Sequence, residues 1–139
     1  MNRIAWEKEL ETGNEHVDFQ HRLFFEKINY CIDASRNNSS REHLVALLQD
    51  ILKCLIEHFR DEEKLMLEKG LSPSSHLSQH FNISQRLSKQ ILAFKWSDEK
   101  EKLSAQYILF SLYEWYLNHM QTEDQCFHNL LKDTPDQLG

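Results

Sequence analysis

Two polar residues interrupt an apolar seam on the predicted second helix. An alternating spacing of four and three residues is typical of the inward face of a bundle helix, and this seam consists of Leu44, Leu48, Ile51, Leu55, His58, Glu62 and Leu65. A carboxylate without a partner is very costly in an apolar interior, so an inward Glu62 needs a partner or a metal ion. The alternative is that the seam frays here and that both His58 and Glu62 reach solvent.

A second histidine-bearing stripe lies on the predicted third helix. His76 and His80 are four residues apart, so both lie on one helix face, and the stripe continues through Ile83 and Leu87. A lone histidine on an apolar face is usually a core residue with a satisfied hydrogen bond. Two polar pairs on consecutive helices instead indicate a metal site, because imidazole is the commonest neutral metal ligand.

The first and fourth helices each add one histidine at a compatible depth. His21 lies on the stripe of Phe24 and Ile28, and His119 lies on the stripe of Leu112 and Tyr116. If sequential helices pack antiparallel, the candidates from all four helices meet at one end of the bundle. The remaining histidines do not fit this cluster, and we expect them to lie on the surface: His16, His43 and His128.

Composition predicts an all-α protein of one domain. The chain of 139 residues has only 3 Gly and 2 Pro, and its long segments are rich in good helix formers. We predict a single domain over residues 1–139, folded as an antiparallel up-down-up-down four-helix bundle with an irregular N-terminal arm. The arm covers 1–16, with Trp6 and Leu10 as anchors, and the helices cover about 17–36, 40–69, 73–94 and 98–131.

Local signals suggest where the helices begin and end. Ser39 with Glu42 matches a capping box, and Asp98 with Glu101 gives a similar pattern before the fourth helix. Gly70 suits a left-handed C-terminal cap. Ser72 is the predicted N-cap of the third helix, which places Pro73 at its first helical position.

Charge and hydropathy exclude several classes of partner. The net charge of −6 disfavours nucleic acid, whose binding depends on basic side chains. We expect no membrane association, because neither a spanning apolar stretch nor a basic cluster is present, and no signal peptide, because residues 1–13 are charged. The scattered Cys31, Cys54 and Cys126 are expected to be reduced and buried, which predicts a cytoplasmic location.

At this point the chain resembles the hemerythrins, in particular their bacterial single-domain members. The resemblance runs from Trp6 through Phe127. Any single match is weak, but together and in order they are specific: Leu10–Gly13, Val17–His21, His58–Glu63, His76–Phe81, and Trp115 followed by His119 and Asp124.

The resemblance implies two iron ions joined by an oxo or hydroxo bridge. One iron would take His76, His80 and His119, the other would take His21 and His58, and Glu62 and Asp124 would bridge them. Helix periodicity alone does not choose between Glu123 and Asp124 as the second carboxylate. Asp124 lies five residues after His119, so a π-like widening of the helix would reconcile the spacing with the family pattern.

Four residues beside the candidate ligands are predicted to form an oxygen pocket: Phe59, Trp115, Tyr116 and Met120. Tyr116 departs from the family, which usually has leucine there. Its phenol could enter the pocket, or the ring could pack with its hydroxyl toward solvent. Both orientations remain open at this stage.

The implied function is reversible oxygen binding rather than catalysis. In octahedral geometry the implied ligands and the solvent-derived bridge leave a single open position, on the iron with two histidines. We therefore predict storage, delivery or scavenging of molecular oxygen. Alternatives are an oxygen- or redox-sensing module that acts on a separate protein partner, and a di-iron peroxide or nitric oxide reductase.

Overall fold

Four α-helices form most of the regular structure in residues 2–97 and 104–121, the parts of the chain that the computed structural model describes. They are α1 (Glu15–Arg36), α2 (Arg41–Glu68), α3 (Ser74–Trp96) and α4 (Ala105–His119). Contacts join α1 to α2, α2 to α3, α3 to α4 and α1 to α4, so the helices close into a ring. The predicted all-α, antiparallel four-helix bundle is confirmed.

Three helices have N-cap residues other than the predicted ones. The N-cap of α2 is Ser40, not Ser39, because the Ser40 side chain accepts a hydrogen bond from the His43 amide. Pro73, not Ser72, occupies the N-cap of α3. Ser104 caps α4 by accepting from the Tyr107 amide, so this helix begins at Ala105 and not at residue 98.

The C-terminal end of α2 uses a left-handed residue to satisfy its last carbonyls. Gly70 has a φ of 74°, the Gly70 amide donates to the Leu67 carbonyl, and the Leu71 amide donates to the Met66 carbonyl at 2.8 Å. This pair of bonds is a Schellman motif. Gly70 therefore ends α2 as predicted and turns the chain toward α3.

The N-terminal arm is fastened to the outside of α1. A 3₁₀ turn at Lys8–Leu10 buries Leu10, and the Trp6 ring packs edge-on against Phe25 with 5.3 Å between ring centroids. Buried Asp18 accepts hydrogen bonds from the amide and the hydroxyl of Thr12 at 2.8 and 2.9 Å. The predicted anchors Trp6 and Leu10 both pack onto the bundle.

The core is continuous and apolar away from the candidate ligands. The part of this core at the end of the bundle opposite those ligands, here called the far end, is formed by Ile32, Leu44, Leu48, Ile91, Phe94 and Ile108. Cys31 is buried in the same core, where burial raises the pKa of its thiol to about 12. Cys54 is half-buried, and Cys126 lies outside the described residues. No helix in the described parts of the chain is long and apolar enough to cross a membrane.

Candidate metal centre

Six of the seven predicted ligands converge at one end of the bundle, here called the metal end. The six are all buried: His21, His58, Glu62, His76, His80 and His119. They come from the start of α1, the last third of α2, the start of α3 and the end of α4. The seventh, Asp124, lies outside the described residues, as does its competitor Glu123.

The Glu62 carboxylate lies between two groups of histidines. Glu62 Oε1 faces the three-histidine group, at 3.2 Å from His76 Nε2, 3.4 Å from His80 Nε2 and 3.9 Å from His119 Nε2. Glu62 Oε2 faces His58 Nε2 at 3.4 Å. The atoms offered by Glu62, His76 and His119 all lie within 4.8 Å of one another, close enough for one cation to reach them.

The second group, the two-histidine group, consists of His58 and His21. Their ring centroids are 4.9 Å apart with an interplanar angle of 68°. Tyr116 lies beside both rings, at 5.7 Å from His21 and 6.2 Å from His58. The histidines therefore divide three and two, with Glu62 between the groups.

Three of the imidazoles form hydrogen bonds at Nδ1, the ring nitrogen that faces away from Glu62. Each partner is adjacent in sequence to another candidate ligand. The Nδ1 atoms of His58, His80 and His119 lie 2.7, 2.8 and 3.1 Å from oxygens of Gln20, Glu63 and Gln79, respectively. Gln20 Nε2 donates to Asp61 Oδ2 at 2.8 Å, which leaves its carbonyl oxygen to accept from His58. Each Nδ1 can donate to the oxygen behind it, which orients the Nε2 of the same ring toward Glu62.

This arrangement fits a cation. His58 Nε2 and His80 Nε2 are buried and have no hydrogen-bond partner among the described residues. Each of these nitrogens faces an oxygen of Glu62 at 3.4 Å, and a cation between the two atoms would be coordinated by both. Imidazole nitrogen with carboxylate oxygen is a donor set that suits iron as well as other first-row transition metals.

These three supporting residues were not predicted from the sequence. Each stands next to a predicted ligand: Gln20 precedes His21, Glu63 follows Glu62, and Gln79 precedes His80. A polar residue flanking an inward ligand sits at the edge of the helix seam, from which its side chain can reach a neighbouring helix. That adjacency was the available signal.

Aromatic side chains flank the two groups differently. Phe59 stacks on His80 with ring centroids 3.8 Å apart, and Trp115 stacks on His119 at 4.9 Å, so both cover the three-histidine group. Tyr116 is only 1% exposed, and its ring packs on Phe24 at 4.3 Å beside the two-histidine group. The alternative in which Tyr116 reaches solvent is therefore wrong.

Two further features complete the surroundings of the ligands. The backbone of α4 widens into a π-helical form at residues 120–121, immediately after His119, and Met120 is buried there. A surface cleft of about 250 Å³ reaches the two-histidine group, and its lining includes Gln20, His58, Asp61, Glu62 and Lys64.

The other three histidines do not join the cluster in the described part of the chain. His16 and His43 are exposed as predicted, with His16 in the first turn of α1 rather than before it. His128 lies outside the described residues.

The fold and the site together define a class of protein: four-helix bundles with a buried histidine–carboxylate centre. The profile of the hemerythrin HHE cation binding domain matches residues 12–131, which is most of the chain. The chain belongs to the hemerythrin family.

Similar proteins carry the same family name. The chain is 25% identical to a bacteriohemerythrin of Pseudomonas aeruginosa, over 99% of this chain and 88% of that protein. It is 23% identical to a bacteriohemerythrin of Stenotrophomonas maltophilia, over 100% of this chain and 88% of the relative. A myohemerythrin of Theromyzon tessulatum is 28% identical over 86% of each protein.

Proposed function

We propose that this protein holds two iron ions and reversibly binds molecular oxygen at them. His76, His80 and His119 would ligate one iron, His21 and His58 the other, and Glu62 with Asp124 would bridge the pair. The observation that carries the proposal is the division of Glu62, whose Oε1 faces three histidines while its Oε2 faces His58. A carboxylate that presents one oxygen to each of two imidazole groups suits two cations better than one.

The type and number of ligands favour iron over zinc. Structural zinc is almost always four-coordinate and tetrahedral. The five histidines and two carboxylates proposed here suit two six-coordinate ions joined by a solvent-derived oxygen bridge. Membership of a cation-binding family supports a metal at this position.

Imidazole-rich ligation favours oxygen binding over oxygen activation. The di-iron enzymes built on similar bundles use carboxylate-rich sites with Glu-x-x-His motifs. Anionic ligands stabilise high oxidation states of iron, whereas neutral imidazoles donate less charge. When bound, the irons supply the electrons that hold oxygen. The chain itself places apolar rings against the three-histidine group, since Phe59 stacks on His80 and Trp115 stacks on His119.

An optical titration tests this function. The iron-loaded protein, reduced without air, is exposed to oxygen and then evacuated through several cycles while its visible spectrum is recorded. We expect a charge-transfer band that appears with oxygen and disappears on evacuation, at two irons per chain. Rapid oxidation that evacuation does not reverse would contradict oxygen carriage and would favour a sensor or a di-iron reductase.

Metal analysis of two neighbouring variants tests the second bridging carboxylate. Asp124→Ala should retain fewer than two irons per chain, whereas the matched Glu123→Ala should retain both. The π-helical backbone at residues 120–121 supports this choice, because widening the helix adds a residue to the turn that follows His119. Two irons in Asp124→Ala with a loss in Glu123→Ala would reverse the assignment.

A further inference from the structure

The three supported histidines do not receive the same kind of support. His58 and His119 donate from Nδ1 to the neutral side-chain amides of Gln20 and Gln79. His80 instead donates to the carboxylate of Glu63, at 2.8 Å. The Glu63 side chain is only 21% exposed, so its charge is partly shielded from water. Of these three supported histidines, His80 is therefore the one with a directly bonded anionic support.

The chemical consequence is a difference in metal affinity. A carboxylate that accepts from Nδ1 increases the electron density at Nε2, and the partial negative charge favours a nearby cation. A neutral amide fixes the ring orientation but adds no net charge. The three-histidine group also offers one more nitrogen than the two-histidine group.

Solvent access does not separate the two groups. A cleft of about 250 Å³ reaches His58 beside Gln20 and Asp61. A cleft of about 290 Å³ reaches His80 beside Glu63. The groups therefore differ in the charge that supports His80 and in the number of imidazoles.

We propose that the two metal positions differ in affinity, that the three-histidine group fills first, and that Glu63 is the positioning residue that sets this order through His80. The inference rests on the proposed two-metal function. A partly loaded protein then carries its single metal at the three-histidine group, and the two-histidine group is the first to lose metal to a chelator.

A cobalt titration measures the two positions directly. Metal-free full-length protein is titrated with Co²⁺ without air at constant pH, and heat and the visible cobalt bands are recorded together. We expect two resolved steps of one equivalent each. His76→Ala should remove the tighter step, and His21→Ala should remove the weaker step while leaving the tighter one. Two steps of indistinguishable affinity, or loss of the tighter step in His21→Ala, would overturn the inference.

Two further variants isolate the role of Glu63. Glu63→Gln keeps an acceptor for His80 but removes the charge, so it should weaken the tighter step by about 10-fold or more and leave the weaker step unchanged. Glu57→Gln removes the same charge from an exposed position on the same helix and should alter neither step. An unaffected tighter step in Glu63→Gln, or equal weakening by Glu57→Gln, would refute the role of Glu63.

The outcomes separate this inference from the function on which it rests. A wild-type protein that takes up no cobalt and no iron would refute the proposed metal centre itself. A protein that takes up two ions with equal affinity would leave that centre intact and refute only the order of filling. Melting of each metal-free variant, followed by circular dichroism, shows that the compared proteins share the same folded state.

Discussion

The two ends of the bundle are stabilised in different ways. At the far end, Ile32, Leu48 and Ile108 are completely buried, and their burial is favourable with or without metal. At the metal end the same four helices bury a carboxylate and five imidazoles. Burial of such groups is costly unless a partner compensates for the lost water. The far end is stabilised by apolar burial, whereas the stability of the metal end depends on what compensates its buried polar groups.

Metal removal should produce the largest effect that this comparison predicts. A ligand present at about 1,000 times its dissociation constant adds roughly 4 kcal/mol of stability at a single site. The metal-free protein should therefore melt far below the loaded one, and hydrogen exchange should increase first at the metal end. If thermal scans of both forms gave the same midpoint, coordination would contribute nothing to the fold.

A cavity at the far end should cost nearly as much, but it should do so with or without metal. Leu48→Ala removes buried methyl groups and should lower the free energy of unfolding by about 2–5 kcal/mol in both forms. Its metal content should equal that of the wild type. Urea unfolding of both forms gives the two values, and a large difference between them would show that the two ends are energetically inseparable.

Replacing the central carboxylate should destabilise the metal-loaded protein and stabilise the metal-free protein. Glu62→Leu removes the proposed bridging carboxylate, so the variant should retain fewer than two metals and lose the stabilisation by metal. The metal-free variant should instead be more stable than metal-free wild type, because an apolar side chain replaces a buried carboxylate whose desolvation no cation compensates. Glu57→Leu, at an exposed position of α2, is the control and should change little in either form. Destabilisation of metal-free Glu62→Leu would contradict this account.

The smallest expected effect concerns Tyr116, which lies against the two-histidine group. A hydrogen bond from its phenol is worth roughly 0.5–1.5 kcal/mol, or about 2- to 10-fold in a rate. Because such a phenol can also supply a proton, we expect Tyr116→Leu to slow irreversible oxidation of the reduced protein in air. Tyr116→Phe keeps the packing against Phe24 and should give the same result. Stopped-flow rates that stay equal or rise would exclude the hydroxyl from this process.

Periodicity was sufficient to predict the histidine ligands that the structure brings together, because inward positions recur every three or four residues. It could not predict which neighbours support them. Gln20 and Gln79 reach histidines on other helices, and only the packing of those helices determines such contacts. Periodicity could not predict the orientation of the Tyr116 hydroxyl either, because a tyrosine can direct its ring inward and its hydroxyl outward. The start of α2 differs from the predicted one because two adjacent serines, Ser39 and Ser40, can each cap its first turn, and Ser40 does so.

Glu62 has one further consequence, which concerns communication between the two histidine groups. Its two oxygens belong to one rigid, planar carboxylate, so a cation that fixes Oε1 also fixes the direction of Oε2. Thermodynamic linkage requires the effect to be reciprocal: whatever factor the first ion applies to the affinity of the second, the second applies to the first. A single side chain thus links the two positions, and any coupling that it carries acts by the same factor in both directions.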